Sequence, residues 1–139
     1  MAQQSPVPDE LDRPFWEACN DDRLVLQHCA ACAKYRFPPE PRCWACGSDR
    51  LPWREVGATG TLYTYAVVHD TPIASLKEDL PYVVGVVEID DADGVNLVAR
   101  VRDVPLDAVP VDGRIAITFE PTPGTGQKVP VARSAVPSS

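Results

Sequence analysis

The sequence predicts a mainly β protein with one short helix near its N-terminal end, a cysteine-bearing ribbon and then a small five-stranded barrel. Three observations support this prediction. Two Cys-x-x-Cys pairs lie ten residues apart in the first half of the chain. From Gly57 onward, short segments rich in β-branched and aromatic residues alternate with turn residues, as in a series of short strands. Apolar residues make up 45% of the 139 residues, which is enough to build a core.

Charge and hydropathy exclude some classes of protein. No apolar run reaches the roughly 18 residues of a membrane-spanning helix, so no membrane is expected. The acidic segment Met1–Asp12 lacks the features of a secretory signal, and we therefore expect a cytoplasmic protein. A net charge of −7 argues against nucleic acid as the main partner. The charge is uneven, because residues 23–54 hold only two carboxylates but six basic side chains: Arg23, Lys34, Arg36, Arg42, Arg50 and Arg54.

The elements of the N-terminal half follow from local signals. Asp9–Asn20 has an apolar helical face, and Pro14 places the helix start near Arg13 with Asp12 as N-cap. Two short strands are expected on either side of the cysteines, at Arg23–His28 and Leu51–Val56. We therefore assign residues 1–22 to a tail and helix, and residues 23–56 to a ribbon.

The C-terminal half reads as five short strands. Four are expected at Thr61–His69, Tyr82–Ile89, Val95–Val101 and Arg114–Glu120, and Val129 with Val131 closes the sheet. A twelve-residue loop, an acidic hairpin turn and one helical turn connect them: residues 70–81, 90–94 and 105–109. So few strands favour a closed or partly open barrel, such as the OB-fold, over a sandwich. Residues 57–132 form this domain, and residues 133–139 a disordered tail.

Four cysteines carry the strongest chemical signal in the chain: Cys29, Cys32, Cys43 and Cys46. Each Cys-x-x-Cys unit lets one tight turn aim two sulfurs at a common point, and two units supply a tetrahedral zinc site. Unligated cysteines, two disulfides and a rubredoxin-like iron remain as alternatives, although disulfides are rare in a reducing compartment. Because all four positions are filled by protein, we expect a structural zinc with no open catalytic position.

The remaining candidates have plain structural interpretations beside functional ones. Cys19 is expected to be a small apolar helix residue rather than a nucleophile. His28 adjoins the first cysteine pair and is interpreted as an ordinary strand residue or an additional contact to the metal centre. His69 ends a strand beside Asp70, where functional groups often lie, but an exposed histidine is the simpler interpretation. No Ser-His-Asp set and no phosphate-binding loop can be assembled.

Together, these motifs resemble the family of OB-fold proteins with an N-terminal zinc ribbon known as domain of unknown function 35. The resemblance spans about residues 13 to 131 and rests on Phe15-Trp16, the segment Leu24–Cys29 with Cys32, Phe37-Pro-Pro39, Cys43-x-x-Cys46-Gly47, Trp53, Gly57-x-x-Gly60-Thr61-x-Tyr63-x-Tyr65 and Pro81-Tyr82. Where the family leads us to expect an aromatic after Val131, this chain has Ala132.

The resemblance implies a subunit without chemistry of its own. Family members associate with thiolase-superfamily enzymes that act on acyl-CoA thioesters, including aldolases that shorten a steroid side chain and homologues that transfer acyl groups. Some are fused to hydratase-type domains, and here we expect the enzyme in trans, in a hetero-oligomer. Two alternatives stay open: a single-strand nucleic-acid-binding protein, and an acyl-CoA-processing enzyme that uses His69 and Asp70.

Overall fold

The computed structural model describes residues 5–92 and 94–135. The helix α1 spans Arg13–Asn20, with Pro14 in its first turn as the sequence predicts. Asp12 occupies the N-cap position, but its side chain makes no capping hydrogen bond to the helix. Instead, Asp12 Oδ1 accepts a hydrogen bond from the Asp9 backbone at 2.7 Å, and the Asp12 backbone donates to Asp9 Oδ1 at 2.9 Å. The two acidic residues thus close a small turn ahead of the helix.

The ribbon is a three-stranded antiparallel sheet in the order β2-β1-β3. Strand β1 is Leu24–His28, β2 is the two-residue strand Tyr35–Arg36, and β3 is Trp53–Val56. Leu24 and Leu26 in the central strand are fully buried. The predicted strands on either side of the cysteines are therefore present, and they pair directly with each other.

The second unit is a closed five-stranded barrel in the order β4-β5-β6-β8-β7. Its strands are β4 (Thr59–Val68), β5 (Tyr82–Ile89), β6 (Asn96–Arg102), β7 (Arg114–Pro121) and β8 (Lys128–Ser134). All neighbours are antiparallel except β6 and β8, which run parallel with Arg100 opposite Val131. The mainly β class and the five-stranded OB-fold are confirmed.

Strand β4 closes the barrel because it pairs on both of its edges near its start. Gly60 lies opposite Ile115 of β7 and also opposite Ile89 of β5. A register shift follows between Leu62 and Thr64, and a bulge of this kind bends a strand. A Cβ atom on Gly60 would lie 2.3 Å from the Glu88 carbonyl oxygen, so the close approach of β4 and β5 requires glycine here.

One hydrophobic core joins the two units. The helix contributes Phe15 and Cys19, and β1 contributes Leu24 and Leu26. They belong to the same buried cluster as the inward-facing barrel side chains, which include Leu62, Val83, Val87, Leu97, Ile115 and Ile117. The helix is also held to the start of β8, where Gln127 Nε2 donates to the Trp16 carbonyl at 2.9 Å and the Lys128 backbone donates to Asn20 Oδ1 at 3.0 Å.

The connections differ in detail from the sequence prediction. The loop expected over residues 70–81 contains a 3-10 helix at Ala74–Asp79, and the helical turn expected at residues 105–109 is a single hydrogen-bonded turn. Strand β8 continues to Ser134, two residues beyond the predicted end of the barrel. Ala135 of the predicted C-terminal tail donates a backbone hydrogen bond to the Arg114 carbonyl at 2.9 Å, and residues 136–139 lie outside the described part of the chain. Within residues 5–92 and 94–135, no helix is long and apolar enough to span a bilayer.

An ion pair beside the acidic hairpin turn predicts a pH dependence of stability. Asp90 accepts hydrogen bonds from the guanidinium of Arg114, one of them at 3.1 Å, and from Thr59 Oγ1 at 2.8 Å. These hydrogen bonds lower the pKa of Asp90 to about 2, and those from Arg114 have the largest effect, whereas burial acts in the opposite direction. The stabilisation is therefore present above the unfolded-state pKa of about 3.9 and is lost as pH falls towards 2.

We expect Asp90→Asn to lower the free energy of unfolding modestly at neutral pH, because the pair is largely exposed to solvent. The difference from wild type should be constant above about pH 5 and should shrink between about pH 4 and pH 2. Urea unfolding of both proteins across this pH range measures the difference in the free energy of unfolding. A difference that stays constant down to pH 2 would contradict the assignment.

Candidate metal centre and its surroundings

The two Cys-x-x-Cys units fold into two turns with the same hydrogen-bond pattern. In the first, the Cys29 backbone donates to the Lys34 carbonyl at 2.9 Å, and Ala33 donates back to the Cys29 carbonyl at 2.8 Å. In the second, Cys43 donates to the Ser48 carbonyl and Gly47 donates to the Cys43 carbonyl, both at 2.8 Å. Ala33 and Gly47 occupy equivalent positions with φ of 64° and 77°. Gly47 thus provides the backbone relief expected from the sequence, whereas the first turn places an alanine in this conformation.

The turns bring the four predicted thiols together. The Sγ atoms of Cys29, Cys32, Cys43 and Cys46 all lie within 4.8 Å of one another. Two pairs, Cys29 with Cys46 and Cys32 with Cys43, are 3.6 Å apart. Four sulfurs at ~2.3 Å from a tetrahedral zinc ion would be separated by about 3.8 Å, so the cluster has the dimensions of such a site. The four cysteines are free of disulfides.

The pKa values of the four clustered thiols divide into two groups, lowered at Cys29 and Cys43 and raised at Cys32 and Cys46. The backbone N–H of Cys32 lowers the pKa of the Cys29 thiol, and that of Ala31 adds to this effect, although burial opposes both. One guanidinium nitrogen of Arg36, Nη2, lies 3.7 Å from Cys43 Sγ. Amides and a cation directed at sulfur are the features that stabilise a metal-binding thiolate.

Beside the cluster, the ribbon exposes an indole that is close to two cations. The side chain of Trp44 is 72% exposed. Lys34 Nζ lies 5.2 Å and the Arg36 guanidinium carbon 5.4 Å from the centre of its ring, which are cation–π distances. Lys34, Tyr35 and Trp44 line a shallow cavity of about 620 Å³ next to Cys32. We call Lys34, Tyr35 and Trp44 the indole patch.

The other candidate residues lie outside the cluster. Cys19 is buried in the core and burial raises the pKa of its thiol to about 12, in agreement with an apolar role. His28 stacks edge-on against Tyr35, with ring centroids 4.6 Å apart, and its Nε2 is 3.4 Å from Arg54. His69 is exposed, and Asp70 accepts a hydrogen bond from the Thr71 backbone. No hydrogen bond or ion pair joins His69 to another described residue, so the structure assembles no acid–base pair there.

Several buried polar groups were not identified from the sequence, among them Gln27 and Arg100. The side-chain amide of Gln27 exchanges two hydrogen bonds with the backbone of Glu40, at 2.8 and 3.1 Å, and thereby attaches the proline-rich segment to β1. Arg100, in β6, pairs with Asp79 at 2.5 Å and lies 3.9 Å from the ring of Tyr82. Arg100 and Tyr82 also line a cleft of about 530 Å³ between the helix, the ribbon and the barrel. Each of these groups is bonded to a residue that is distant in sequence, so local sequence patterns do not predict its burial.

The fold and the thiol cluster define a protein with a zinc ribbon joined to an OB-fold barrel, and comparison with protein families agrees. The model of the ChsH2 rubredoxin-like zinc ribbon domain matches residues 16–52, and that of the ChsH2 C-terminal OB-fold domain matches residues 53–120. A solved structure of an Ltp2-ChsH2(DUF35) aldolase contains a chain that is 32% identical, with a TM-score of 0.82. The match covers 95% of this chain and all of that one. The chain belongs to the ChsH2-like DUF35 family.

Other relatives extend the comparison. A probable enoyl-CoA hydratase alpha subunit of Thermomonospora curvata is 37% identical over 128 residues, which are 91% of this chain but only 38% of that protein's length. A DUF35 domain-containing scaffold protein of Methanothermobacter thermautotrophicus is 25% identical over 97 residues, covering 69% of this chain and 71% of its own. A DUF35 structure from Sulfolobus solfataricus, 11% identical with a TM-score of 0.61, shares the fold over 90% of this chain and 85% of its own.

Proposed function

We propose that this protein is a non-catalytic accessory subunit of a thiolase-superfamily enzyme that acts on acyl-CoA. The observation that carries the proposal is the full-length similarity to the ChsH2 type of chain found in an Ltp2-ChsH2(DUF35) aldolase. The described residues support the accessory role, because the candidate catalytic groups His69 and Asp70 are exposed and do not contact each other through a hydrogen bond.

The metal centre fits this role. We propose that Cys29, Cys32, Cys43 and Cys46 bind one zinc ion that is structural, since four sulfurs complete its coordination and leave no position for substrate. The zinc would hold the two turns together and thereby fix the indole patch on the ribbon surface. Aromatic side chains beside cations are frequent anchors in protein interfaces, and we propose that this patch contributes to the contact with the enzyme.

The reaction of the complex is proposed from the family resemblance and from the aldolase relative. The enzyme would cleave a β-hydroxyacyl-CoA, most simply one derived from a steroid side chain, by breaking the bond between its α and β carbons. A ketone or aldehyde leaves, and a shortened acyl-CoA remains. No hydrogen bond joins His69 to Asp70 among the described residues, and we propose that the reacting groups lie on the partner.

Co-expression with a thiolase-like enzyme encoded beside this chain tests the proposal. Native mass spectrometry should detect a complex that contains both chains, and cleavage of a β-hydroxyacyl-CoA should require both. If no complex forms and the enzyme is equally active alone, the proposal is wrong. Acyl transfer instead of cleavage would keep the accessory role and replace the aldolase by an acyltransferase.

Substituting the indole patch predicts a measurable loss of affinity. We expect Trp44→Ala to weaken the complex by about 1–3 kcal/mol, because exposed tryptophans that become buried on binding are often hot spots. The dissociation constant should rise by roughly fivefold to 150-fold in isothermal titration calorimetry. Tyr63→Ala is the matched control, since Tyr63 is 63% exposed on the barrel, far along the chain from the cysteines. Equal affinities of wild type and Trp44→Ala would exclude the patch from the interface.

A second candidate partner is an enoyl-CoA hydratase. The 37% identity to the hydratase subunit of Thermomonospora curvata favours it, although this chain corresponds to only 38% of that protein. The same co-expression experiment with a neighbouring hydratase-type chain in place of the thiolase-like enzyme separates the two. A complex with the hydratase chain alone would assign the accessory role to that enzyme.

A further inference from the structure

Arg36 is a buried cation without a carboxylate partner. It lies in β2 opposite Gln27 and is 5% exposed. No ion pair with an acidic side chain reaches it from the residues that the structure describes. Arg100 is equally buried at 7% exposure and forms an ion pair with Asp79 at 2.5 Å. The contrast shows that the environment of Arg36 compensates its charge in another way.

The contacts of the Arg36 guanidinium identify that compensation. Nη2 lies 3.7 Å from Cys43 Sγ, and the guanidinium carbon lies 5.4 Å from the centre of the Trp44 ring. Nε is buried and has no hydrogen-bond partner. A guanidinium is always protonated in proteins, and burying it without an opposite charge is strongly unfavourable. A neutral thiol would not offset that cost, whereas a metal-bound thiolate would.

We propose that Arg36 is the buried counter-cation of the metal centre and a positioning residue for the Cys43 sulfur. Four thiolates around a zinc dication carry a net charge of about −2, and Arg36 is a buried positive charge in contact with one of the four sulfurs, Cys43 Sγ. The inference rests on the proposed binding of zinc by the four cysteines. In this role Arg36 affects metal affinity although it donates no ligand atom. Its guanidinium also connects the metal centre to the ring of Trp44.

The test compares Arg36→Met with Arg50→Met. Both substitutions remove one positive charge from the ribbon, but Arg50 is exposed and only Arg36 contacts a sulfur. The zinc dissociation constant is measured by competition with a chromophoric chelator at fixed pH. We expect Arg36→Met to weaken zinc binding roughly tenfold to a hundredfold, as loss of a residue that supports a ligand does. Arg50→Met should stay within about twofold of wild type, since exposed charges are screened.

Two further measurements make the result decisive. Cobalt(II) should still give the absorption of a tetrahedral four-sulfur site in Arg36→Met, because all ligands remain. If Arg36→Met does not fold, Arg36→Gln against Arg50→Gln decides, since glutamine removes the charge but keeps a polar group that can donate hydrogen bonds. Equal zinc affinities within the pair that folds would overturn the role of Arg36. Wild-type protein that binds no zinc at all would instead overturn the proposed ligand set.

Discussion

Replacing Cys43 by serine is expected to abolish stoichiometric zinc binding and to unfold the two cysteine turns while the barrel stays folded. Zinc binding to small ribbons supplies an apparent free energy of about 10–16 kcal/mol, which is the main stabilisation of such units. The segment between Cys29 and Trp53 contains only the two-residue strand β2, and the buried apolar side chains within it are those of Cys29 and Cys43 themselves. Without the metal, nothing of similar magnitude holds the two turns against each other.

The barrel should survive the same substitution. Leu24 and Leu26 are buried in the common core and not in the cysteine turns, so β1 and the helix remain attached to the barrel. Metal analysis should find about one zinc per wild-type chain and less than about half in Cys43→Ser. Limited proteolysis should cut the variant after Arg42 or Arg50 and leave the barrel intact.

Cys19→Ala is the matched control, because Cys19 is the cysteine that lies in the core. It should keep its zinc while losing some stability to the small cavity. Zinc content that is equal in Cys43→Ser and wild type would contradict the ligand assignment.

The second large effect is expected from adding one methyl group at Gly60. The new Cβ would lie 2.3 Å from the Glu88 carbonyl oxygen and 2.8 Å from Val87 Cγ1, and the first of these is backbone that cannot rotate away. Strands β4 and β5 must therefore separate at the point where β4 also pairs with β7. We expect Gly60→Ala to lower the free energy of unfolding by about 3 kcal/mol or more, at the upper end of overpacking effects.

Gly57→Ala separates this steric effect from the general effect of removing a glycine. A Cβ atom there meets only Thr59 Oγ1 at 3.8 Å, an ordinary contact. Chemical denaturation of the two variants should therefore give a large loss for Gly60→Ala and a change within about 1 kcal/mol for Gly57→Ala. Equal stabilities would mean that the strands accommodate the methyl group, and the proposed close approach would be wrong.

Much of the fold could be predicted because its signals are local. The strand Tyr82–Ile89 has the predicted bounds, and the bounds of the other barrel strands differ by a few residues. The 3-10 helix Ala74–Asp79 was missed because no apolar periodicity marks it, and none of its described residues is buried. The parallel pairing of β6 with β8 was also beyond local patterns, because it joins residues that are about thirty positions apart.

The candidate site, like the fold, has features that local sequence patterns predict and features that they do not. Cys-x-x-Cys spacing is a local property, so all four clustered thiols could be named from the sequence. The role proposed for Arg36 could not, because it lies seven positions before Cys43 and its burial depends on how the ribbon folds. The interpretation of His69 as part of a catalytic pair also depended on geometry. In the structure the neighbouring Asp70 bonds to the backbone of Thr71.

The shared core has a consequence for how this protein can be divided and recombined. Family models separate ribbon from barrel at residues 52 and 53, yet Phe15, Leu24 and Leu26 are buried together with Leu62 and Ile115. A barrel truncated at residue 53 would therefore expose the apolar surface against which the helix and β1 pack. The domain boundary given by the family models therefore differs from the boundary of the unit that folds cooperatively. Chimaeras made from two homologues should fold when the helix and ribbon are exchanged together with the face of the barrel that they cover.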